Sequence, residues 1–374
     1  MKVIFACAGT GGHINPAIAI AGIILKHEPD SKFLFIGTKT GLENELVKNS
    51  GFNIEHIRTG KLIRSFTFKN IKAVTETYKG IGDAKRIIED FKPDLVIGTG
   101  GYICGPVMLA AKRRKVPYIL HESNAFPGIS VKLLAKKAAK VMIGFSDAKL
   151  RLKRKDNVVY TGTPAKFSRE TINSLDKEQS KKDLNLSNIN KKIVLVTGGS
   201  QGAMKFNHVV LDMVANNLSD DFFVILVAGP KNYDDLVSKK NNIEKEKQID
   251  LSNYIRIEKF VFDMPKMYKV ADICVTRSGA MTITELTLAA KPAILIPLPS
   301  AAENHQLYNA KVLSSSHAGI IIEQKELTES MLFEKINYML DDRNIKLMSD
   351  NASKLVINGV DNNIYKCIKD TLNK

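Results

Sequence analysis

The residues best suited to chemistry lie between Arg277 and Gln306, in RSGAMTITELTLAAKPAILIPLPSAAENHQ. An apolar strand precedes them, and Ser278-Gly279 allows a sharp turn into a helix whose first N–H groups have no intrahelical acceptor. Such a helix start suits a diphosphate. Glu285, about two turns further along, suits the two hydroxyls of a ribose, because one carboxylate can accept from both. These residues predict a nucleoside diphosphate site, although alone they also fit an ordinary βαβ unit with Glu285 solvated.

Three glycine-rich turns follow three predicted strands elsewhere in the chain. They are AGTGGH at 8–13, GTGGY at 98–102 and TGGSQG at 197–202. Each turn removes Cβ atoms where a phosphate or a sugar could approach the backbone, and each precedes a predicted helix. One such turn is common in parallel sheets, whereas three at the same end of parallel strands indicate a ligand site.

Common patterns for other nucleotides and for metals are absent from the sequence. Gly9-x-Gly11 continues to Ile14 in place of a third glycine, and the second strand ends in Gly37-Thr38 where an acidic ribose ligand would be expected. No G-x-x-x-x-G-K-[ST] stretch occurs, which disfavours an ATP P-loop. No D-x-D pair occurs either, so no metal site is predicted, and helix N-termini and side chains must stabilise a leaving diphosphate.

Polar side chains after two strands are candidates for direct chemistry. His13 stands at the mouth of the first glycine-rich turn, where an imidazole suits general base catalysis, although histidines there also serve as caps or packed rings. His121-Glu122-Ser123-Asn124 follows another strand. Asn124 is the candidate ligand contact, while His121 and Glu122 fit either support or function.

Parallel sheets are needed to bring these turns together. Short β-branched runs alternate with helical stretches, which predicts two doubly wound α/β domains. The predicted strands cover residues 3–6, 33–36, 95–97, 118–120, 141–143, 193–196, 223–227, 254–257, 273–275, 293–296 and 319–322. Ligands bind beyond the carboxyl ends of such strands, so two such domains facing one another would form a cleft.

The predicted domains are residues 1–162 and 163–354. Residues 161–192 are polar and rich in Lys, Ser, Asn and Asp, as expected of a linker. A closing helix is predicted over about 363–373, within a segment of about 355–374 that could pack back on the first domain.

The net charge of +16 is distributed unevenly. Residues 1–160 hold 27 Lys and Arg against 13 Asp and Glu, a net charge of +14, whereas the remainder has +2. A basic half predicts an anionic partner, either nucleic acid or the headgroups of an anionic bilayer. A Lys-rich genome would charge both halves alike. No apolar window approaches the roughly 20 residues of a membrane span, and no signal peptide or cysteine pattern is visible, which predicts a reducing cytoplasm.

Six motifs follow one another along nearly the whole chain. They are AGTGGHINPA at 8–17, GTGGYICGP at 98–106, HESNAFPGIS at 121–130, TGGSQGA at 197–203, RSGAMTITEL at 277–286 and NHQLYNA at 304–310. In order and spacing they resemble the MurG-type N-acetylglucosaminyltransferases of peptidoglycan synthesis. The resemblance implies a GT-B fold, in which two Rossmann-like doubly wound domains face each other across a cleft.

The implied reaction is inverting transfer of N-acetylglucosamine from UDP-N-acetylglucosamine to the 4-hydroxyl of N-acetylmuramic acid in undecaprenyl-diphospho-N-acetylmuramoyl pentapeptide (lipid I). The product is lipid II, and neither a cofactor nor a metal is required.

The resemblance also implies roles for individual residues. In the donor domain, the diphosphate and ribose would contact Ala280, Met281, Thr282, Ile283, Thr284 and Glu285. Val261 would contact the uracil, and Gln306 and Ser200 would contact the sugar and phosphate end. In the first domain, Asn124 would reach the N-acetylglucosamine, Thr10, Gly11, Gly12 and Tyr102 would surround the acceptor diphosphate, and His13 would be the candidate base. The family usually has an arginine soon after the motif that is Gly162-Thr163-Pro164 here. Lys166 keeps that charge but loses the bidentate fork.

A membrane contact is predicted from KLIRSFTFK at 61–69 and the helix that follows it. That helix carries Ile71, Val74, Tyr78 and Ile81 at helical spacing, with Lys69, Lys72 and Lys79 nearby. An apolar patch rimmed by lysines is typical of membrane surfaces, although the same spacing also fits core packing. Phe66 and Phe68 are the candidate bilayer contacts, and the basic runs 132–140 and 149–155 either extend the patch or form solvated faces. These features predict a peripheral protein on the cytoplasmic face of the cell membrane, against an anionic surface.

Three other functions remain open from the sequence. A transferase of the same fold could use another lipid acceptor, such as diacylglycerol, and a UDP-sugar epimerase could share both domains. A basic nucleic-acid binding module is the alternative from a different class. The basic stretches lack interleaved aromatic residues and contain no recognised binding motif, so no nucleic-acid partner is predicted.

Overall fold

The computed structural model describes residues 1–60, 68–199 and 203–373, with the backbone alone for 68–72. Within these ranges the chain forms two compact units, Met1–Lys166 with Ile357–Lys374, and Phe167–Val356. Each unit is built on a parallel sheet with helices, which confirms the predicted fold class of two Rossmann-like domains.

The first unit contains a seven-stranded parallel sheet among its described residues. Its strands are β1 (Lys2–Cys7), β2 (Lys32–Gly37), β3 (Ile54–His56), β4 (Leu95–Gly100), β5 (Tyr118–Glu122), β6 (Lys140–Ile143) and β7 (Val158–Tyr160). The strand order is β3-β2-β1-β4-β5-β6-β7. The helices are α1 (Gly11–His27), α2 (Glu43–Asn49), α3 (Phe68–Phe91), α4 (Cys104–Arg113), α5 (Ile129–Leu134) and α6 (Asp147–Leu150).

Strand β1 lies inside this sheet, between β2 and β4, and has a core on each side. Its side chains alternate between the two faces, as the period of a strand requires. Phe5 belongs to one core with Ile20 of α1, and Ile4 belongs to the other with Val107 of α4. Helices α3 to α6 all pack on the second of these faces. Since both faces are covered, β1 is a continuous apolar run, as is usual in parallel sheets.

The C-terminal helix, α16 (Val360–Leu372), packs on the first unit. Its Ile364 and Ile368 join the core beside α1. Glu28, at the end of α1, accepts hydrogen bonds from the Tyr365 hydroxyl and the Lys369 amine, both at 2.8 Å. The end of the chain therefore completes the fold of its beginning.

The second unit contains a six-stranded parallel sheet among its described residues. Its strands are β8 (Lys192–Thr197), β9 (Phe222–Val227), β10 (Ile255–Glu258), β11 (Ile273–Thr276), β12 (Ala293–Leu295) and β13 (Gly319–Ile321), in the order β10-β9-β8-β11-β12-β13. The helices are α7 (Arg169–Ser174), α8 (Lys177–Asp183), α9 (Met204–Asn216), α10 (Tyr233–Lys247), α11 (Met264–Val270), α12 (Ala280–Leu288), α13 (His305–Ser315), α14 (Glu329–Leu340) and α15 (Asp342–Lys354).

The stretch 161–192, predicted as boundary and linker, contains the boundary between the two units at Lys166 and Phe167, but it is not an unstructured linker, because it also contains α7 and α8. The Ser168 hydroxyl caps α7 by accepting from Thr171 N–H, and the Asp176 carboxylate caps α8 by accepting from Gln179 N–H. The polar composition that indicated a linker reflects two short helices that expose one side. Strands β3 and β7 were missed, because each is a three-residue edge strand that is not fully buried.

The predicted stripe on α3 divides between core and surface. Ile81 is buried in the core, whereas Val74 and Tyr78 are exposed. The prediction for Phe66 lies outside the described residues, as does that for the side chains of Phe68, Lys69, Ile71 and Lys72.

Candidate active site

The turn after β11 forms the predicted diphosphate site of the second unit. Gly279 is the N-cap of α12 in an extended conformation, and no side chain of the described residues caps this helix. Ile283 N–H donates to the Gly279 carbonyl at 3.0 Å. The N–H groups of Ala280, Met281 and Thr282 are therefore those that an α-helix leaves without an internal acceptor. They provide the positive end of the helix dipole for an anion.

Helix α13 holds this turn in place. The Ser278 hydroxyl donates to the Gln306 carbonyl at 2.8 Å, and the Asn309 side-chain amide donates to the Ser278 carbonyl at 3.1 Å. The side-chain oxygen of Gln306 accepts from Leu298 N–H at 2.9 Å. Gln306 thus lies beside the turn, and it joins the turn to the loop that follows β12.

Arg277 supports the same turn from inside the fold. Its buried guanidinium donates to the Ile296 carbonyl at 3.0 Å and to the Gln324 side-chain oxygen at 2.7 Å. Burial lowers the pKa of Arg277. These partners tie the ends of β11, β12 and β13 together, which gives Arg277 a structural part.

Glu285 has a partner that the sequence did not indicate. The hydroxyl of Tyr268, on α11, donates to Glu285 Oε2 at 3.0 Å. Tyr268 is buried, and burial together with the neighbouring carboxylate raises its pKa well above the usual range. The phenol therefore stays protonated and orients the carboxylate of the predicted ribose ligand.

The other predicted donor residues differ in accessibility. Met281, Thr282 and Thr284 are half-buried, and the Thr284 hydroxyl donates to the Ala280 carbonyl at 3.1 Å. The side chains of Ala280 and Ile283 are buried, and the N–H of Ile283 is bonded within the helix. Ala280 can thus offer its backbone, whereas Ile283 serves as a core residue of α12.

The loop after β10 carries Val261, the predicted uracil contact, which is half-buried. On either side of it stand Phe260 and Phe262, whose ring centroids are 4.9 Å apart in an edge-to-face arrangement. Phe262 is 93% exposed. Sequence reasoning missed this aromatic pair, although the alternation of FVF after a strand could have indicated it.

In the first unit, the first two glycine-rich turns meet at His13. The His13 Nδ1 lies 3.2 Å from the Ala8 carbonyl, and the Thr99 hydroxyl donates to the His13 carbonyl at 2.7 Å. A Cβ on Gly100 would stand 2.5 Å from His13 Cδ2, so the second turn needs glycine for the ring to pack against it. The half-buried His13 is thereby held at the carboxyl ends of β1 and β4.

The polar group after β5 is organised by Glu122. This buried carboxylate accepts from the backbone and side-chain N–H groups of Asn124, both at 2.9 Å, and from Gly128 N–H at 2.8 Å. Burial raises the pKa of Glu122 and lowers that of the fully buried His121 to about 4. Burial of His121 and Glu122 favours supporting roles for both, and the half-buried Asn124 stays the predicted ligand contact.

The remaining predicted residues lie in different places. Thr10 is the exposed N-cap of α1, which begins at Gly11 and Gly12. Tyr102 is half-buried in the turn after β4, and Lys166 is exposed at the end of the first unit. Ser200 lies outside the described residues.

No three His, Cys, Asp or Glu side chains within the described ranges group as a metal site. Metal independence stays a prediction. No helix of these ranges is long and apolar enough to cross a membrane.

Comparison with known proteins identifies relatives over the full chain. Residues 3–143 match the glycosyltransferase family 28 N-terminal domain, and residues 193–362 match the glycosyltransferase family 28 C-terminal domain. A protein of Acetivibrio thermocellus is 40% identical over 374 residues, covering 100% of this chain and 98% of the relative. A protein of Clostridioides difficile is 37% identical over 358 residues, covering 95% and 85%. Both are named UDP-N-acetylglucosamine--N-acetylmuramyl-(pentapeptide) pyrophosphoryl-undecaprenol N-acetylglucosamine transferase.

Two solved structures match the chain over nearly its full length. The crystal structure of Acinetobacter baumannii MurG matches with a TM-score of 0.78 at 25% identity and covers 99% of both chains. A structure of S. aureus MnaA with UDP matches with a TM-score of 0.66 at 18% identity, covering 100% of this chain and 97% of that one. The second match shows the shared fold alone.

Proposed function

Because the chain belongs to glycosyltransferase family 28, we propose that it transfers N-acetylglucosamine from UDP-N-acetylglucosamine to the 4-hydroxyl of N-acetylmuramic acid in lipid I. The product is lipid II, formed with inversion at the anomeric carbon. One observation carries this proposal: a relative named for this reaction is 40% identical over the full length of the chain. The arrangement around α12 supports the donor part of it.

The donor is assigned to the second unit. Its diphosphate lies against the N–H groups that begin α12, and its ribose hydroxyls donate to Glu285, which Tyr268 orients. In an inverting transfer, negative charge develops on the β-phosphate as UDP leaves. Fixed backbone donors stabilise that charge without reorganising during the reaction. Gln306, beside the same turn, is assigned to the sugar and phosphate end together with Ser200, which lies outside the described residues. Thr282 is assigned to the diphosphate and ribose.

The acceptor is assigned to the first unit, with its diphosphate near Thr10, Gly11, Gly12 and Tyr102. His13 is the candidate general base. When Nδ1 is protonated, its N–H donates a hydrogen bond to the Ala8 carbonyl. Nε2 is then the nitrogen that can accept a proton from the attacking hydroxyl. The contact with Ala8 thus sets both the ring orientation and the tautomer.

A peripheral position on the cytoplasmic face of the membrane follows from the lipid acceptor. Helices α3 to α6, which cover one face of the first sheet, carry apolar side chains that water reaches. They are Val74, Tyr78, Leu109, Ile129, Leu133 and Leu150. Basic residues lie among them. Lys132 Nζ is 3.8 Å and Arg151 Cζ is 5.2 Å from the centroid of the Phe126 ring. Apolar side chains among lysines favour the surface of an anionic bilayer.

The testing experiment is transfer of radiolabelled N-acetylglucosamine from UDP-N-acetylglucosamine to a short-chain lipid I analogue, with and without EDTA. Product in both conditions supports donor, acceptor and metal independence together. Parallel reactions with diacylglycerol as acceptor, and with donor alone, test the other transferase and the epimerase. Product with diacylglycerol but not with lipid I, or a rearranged UDP-sugar without acceptor, would contradict the proposal.

A further inference from the structure

A buried carboxylate contacts the first glycine-rich turn, and the proposed reaction gives this carboxylate no role. Glu43, at the start of α2, is fully buried. Its Oε1 accepts from the Thr38 N–H at 2.8 Å and from the Thr38 hydroxyl at 2.6 Å. Its Oε2 accepts from the Gly9 N–H at 3.2 Å. One side chain thus joins the ends of β1 and β2, across 34 residues of sequence.

Glycine at positions 37 and 41 leaves open the space that the Glu43 side chain occupies. A Cβ on Gly37 would lie 2.6 Å from Glu43 Cγ, and a Cβ on Gly41 would overlap the carboxylate itself. Glycine in both positions costs conformational entropy, which a packing requirement must offset. The stretch from Gly37 to Glu43 is therefore shaped around the acid.

These three donors favour an ionised carboxylate, whose two oxygens accept all three hydrogen bonds. Burial raises the pKa of Glu43, but the hydrogen bonds from Thr38 and Gly9 outweigh burial, so that its pKa lies below the usual value. An amide in its place would offer one acceptor oxygen and turn an NH₂ group toward another donor. A glutamine of the same size therefore breaks the arrangement.

The bond to Gly9 determines how the first turn is presented. Gly9 has φ +102°, and Thr10 and the first residues of α1 follow it directly. We propose that Glu43 is a positioning residue for the acceptor: by holding the Gly9 N–H, it fixes the N–H groups of Gly11 and Gly12 in the direction that the acceptor diphosphate requires. This inference rests on the proposed function.

The hydrogen bond that Glu43 makes to Gly9 and the negative charge of Glu43 predict opposite effects on acceptor binding. The negative charge of Glu43 by itself repels a diphosphate, so removal of the charge alone would tighten acceptor binding. Loss of the hydrogen bond to Gly9 would weaken acceptor binding. The substitution Glu43→Gln removes both the charge and the hydrogen bond while it keeps the size, so the direction of the change in acceptor binding shows which of the two effects is larger.

The experiment compares Glu43→Gln with Glu45→Gln, which removes the same charge from an exposed position two residues further along α2. KM for a lipid I analogue is measured at saturating donor, and the Kd for UDP is measured by calorimetry. For Glu43→Gln we expect KM for the acceptor to rise about 10- to 100-fold, the effect of losing a hydrogen bond to a charged group. The Kd for UDP, which the second unit is assigned to bind, should change less than about twofold. Glu45→Gln should match the wild type in both.

An unchanged or lower acceptor KM for Glu43→Gln would overturn the inference, as would an equal loss of UDP affinity. If Glu43→Gln does not fold, Thr38→Val decides instead. That variant keeps the carboxylate but removes one of its donors, and we expect a rise of about two- to fivefold in acceptor KM. No rise would overturn the inference.

Hydrogen exchange of the amides of residues 8–12 gives a readout that needs no substrate. Exchange should be faster in Glu43→Gln than in Glu45→Gln, and equal rates would refute a role for Glu43 in holding the turn. Absence of transfer by the wild type would instead refute the proposed function and, with it, the acceptor role, while the exchange rates would still report on the turn.

Discussion

Glu285→Gln is the substitution that tests the donor site most directly. Tyr268 is buried, so its hydroxyl must keep an acceptor, and the carboxylate oxygen at 3.0 Å provides it. In the variant, the single amide oxygen turns to Tyr268, which leaves the NH₂ group to meet the ribose hydroxyls. An NH₂ group cannot accept from a hydroxyl.

The expected loss follows from this count of hydrogen bonds. At least one hydrogen bond from the ribose to a charged acceptor disappears, which is worth about 1.5 to 3 kcal/mol. The Kd for UDP should therefore rise about 10- to 100-fold. Titration calorimetry with UDP measures this change, and Glu246→Gln, an exposed carboxylate on α10, is the matched control. The KM for the acceptor should stay within about twofold of the wild-type value, because the first unit is assigned to bind it.

Tyr268→Phe extends the test to the partner. Alone it should weaken UDP binding about three- to tenfold, because Glu285 keeps its charge but loses the donor that orients it. In the double variant, the substituted amide side chain no longer needs to face a phenol and can turn its oxygen to the ribose. UDP should then bind more tightly to the double variant than to Glu285→Gln alone. Unchanged UDP affinity in Glu285→Gln would refute the ribose assignment, and simple additivity of the two losses would refute the coupling.

Three further tests address the acceptor side, the fold and the proposed membrane face. His13→Ala should lower kcat about 10²- to 10⁴-fold in steady-state assays of transfer, while the donor KM stays near the wild-type value; a rise in donor KM with little change in kcat would contradict the role of a base. Glu28→Gln should reduce the free energy of unfolding at pH 7 by about 1 kcal/mol, after discounting for solvent screening at this partly exposed group. The hydrogen bonds from Lys369 and Tyr365 lower the pKa of Glu28 to about 2, so this stability is present above the unfolded pKa of about 4.5 and is lost as the pH falls toward 2. The difference in denaturant midpoint between wild type and variant should therefore shrink as the pH falls from about 4.5 toward 2. A constant difference would contradict the stabilising role of ionised Glu28. Leu133→Asp and Leu150→Asp should each reduce sedimentation with anionic phosphatidylglycerol vesicles several-fold, whereas Leu218→Asp in the second unit should not; equal effects of all three would remove the proposed membrane face.

The sequence predicted those features that depend on residues close to one another along the chain. Apolar runs of strand length, alternating with helical stretches, predicted both parallel sheets, because a strand covered on both faces must be apolar throughout. Ser278-Gly279 before a helical stretch predicted the start of α12, because the turn and the N-cap need small residues there. The short edge strands β3 and β7 were missed, because three residues with partial exposure carry too little of this pattern.

Only the tertiary structure decided which of the candidate side chains are buried and which are accessible. His121 and Glu122 fitted either role in the sequence. Both are buried, and Glu122 accepts a hydrogen bond from the Asn124 N–H, which favours a supporting role for Glu122. Glu43 and Tyr268 carried no motif of their own, yet each holds a residue of a glycine-rich turn or of the predicted ribose site. Hydrogen-bond partners such as Gly9 and Glu43 are distant in sequence and meet because neighbouring parallel strands end at the same edge of a sheet. The sequence of a single chain reveals which secondary structure each segment prefers, whereas the packing of the strands determines which segments become neighbours in the fold.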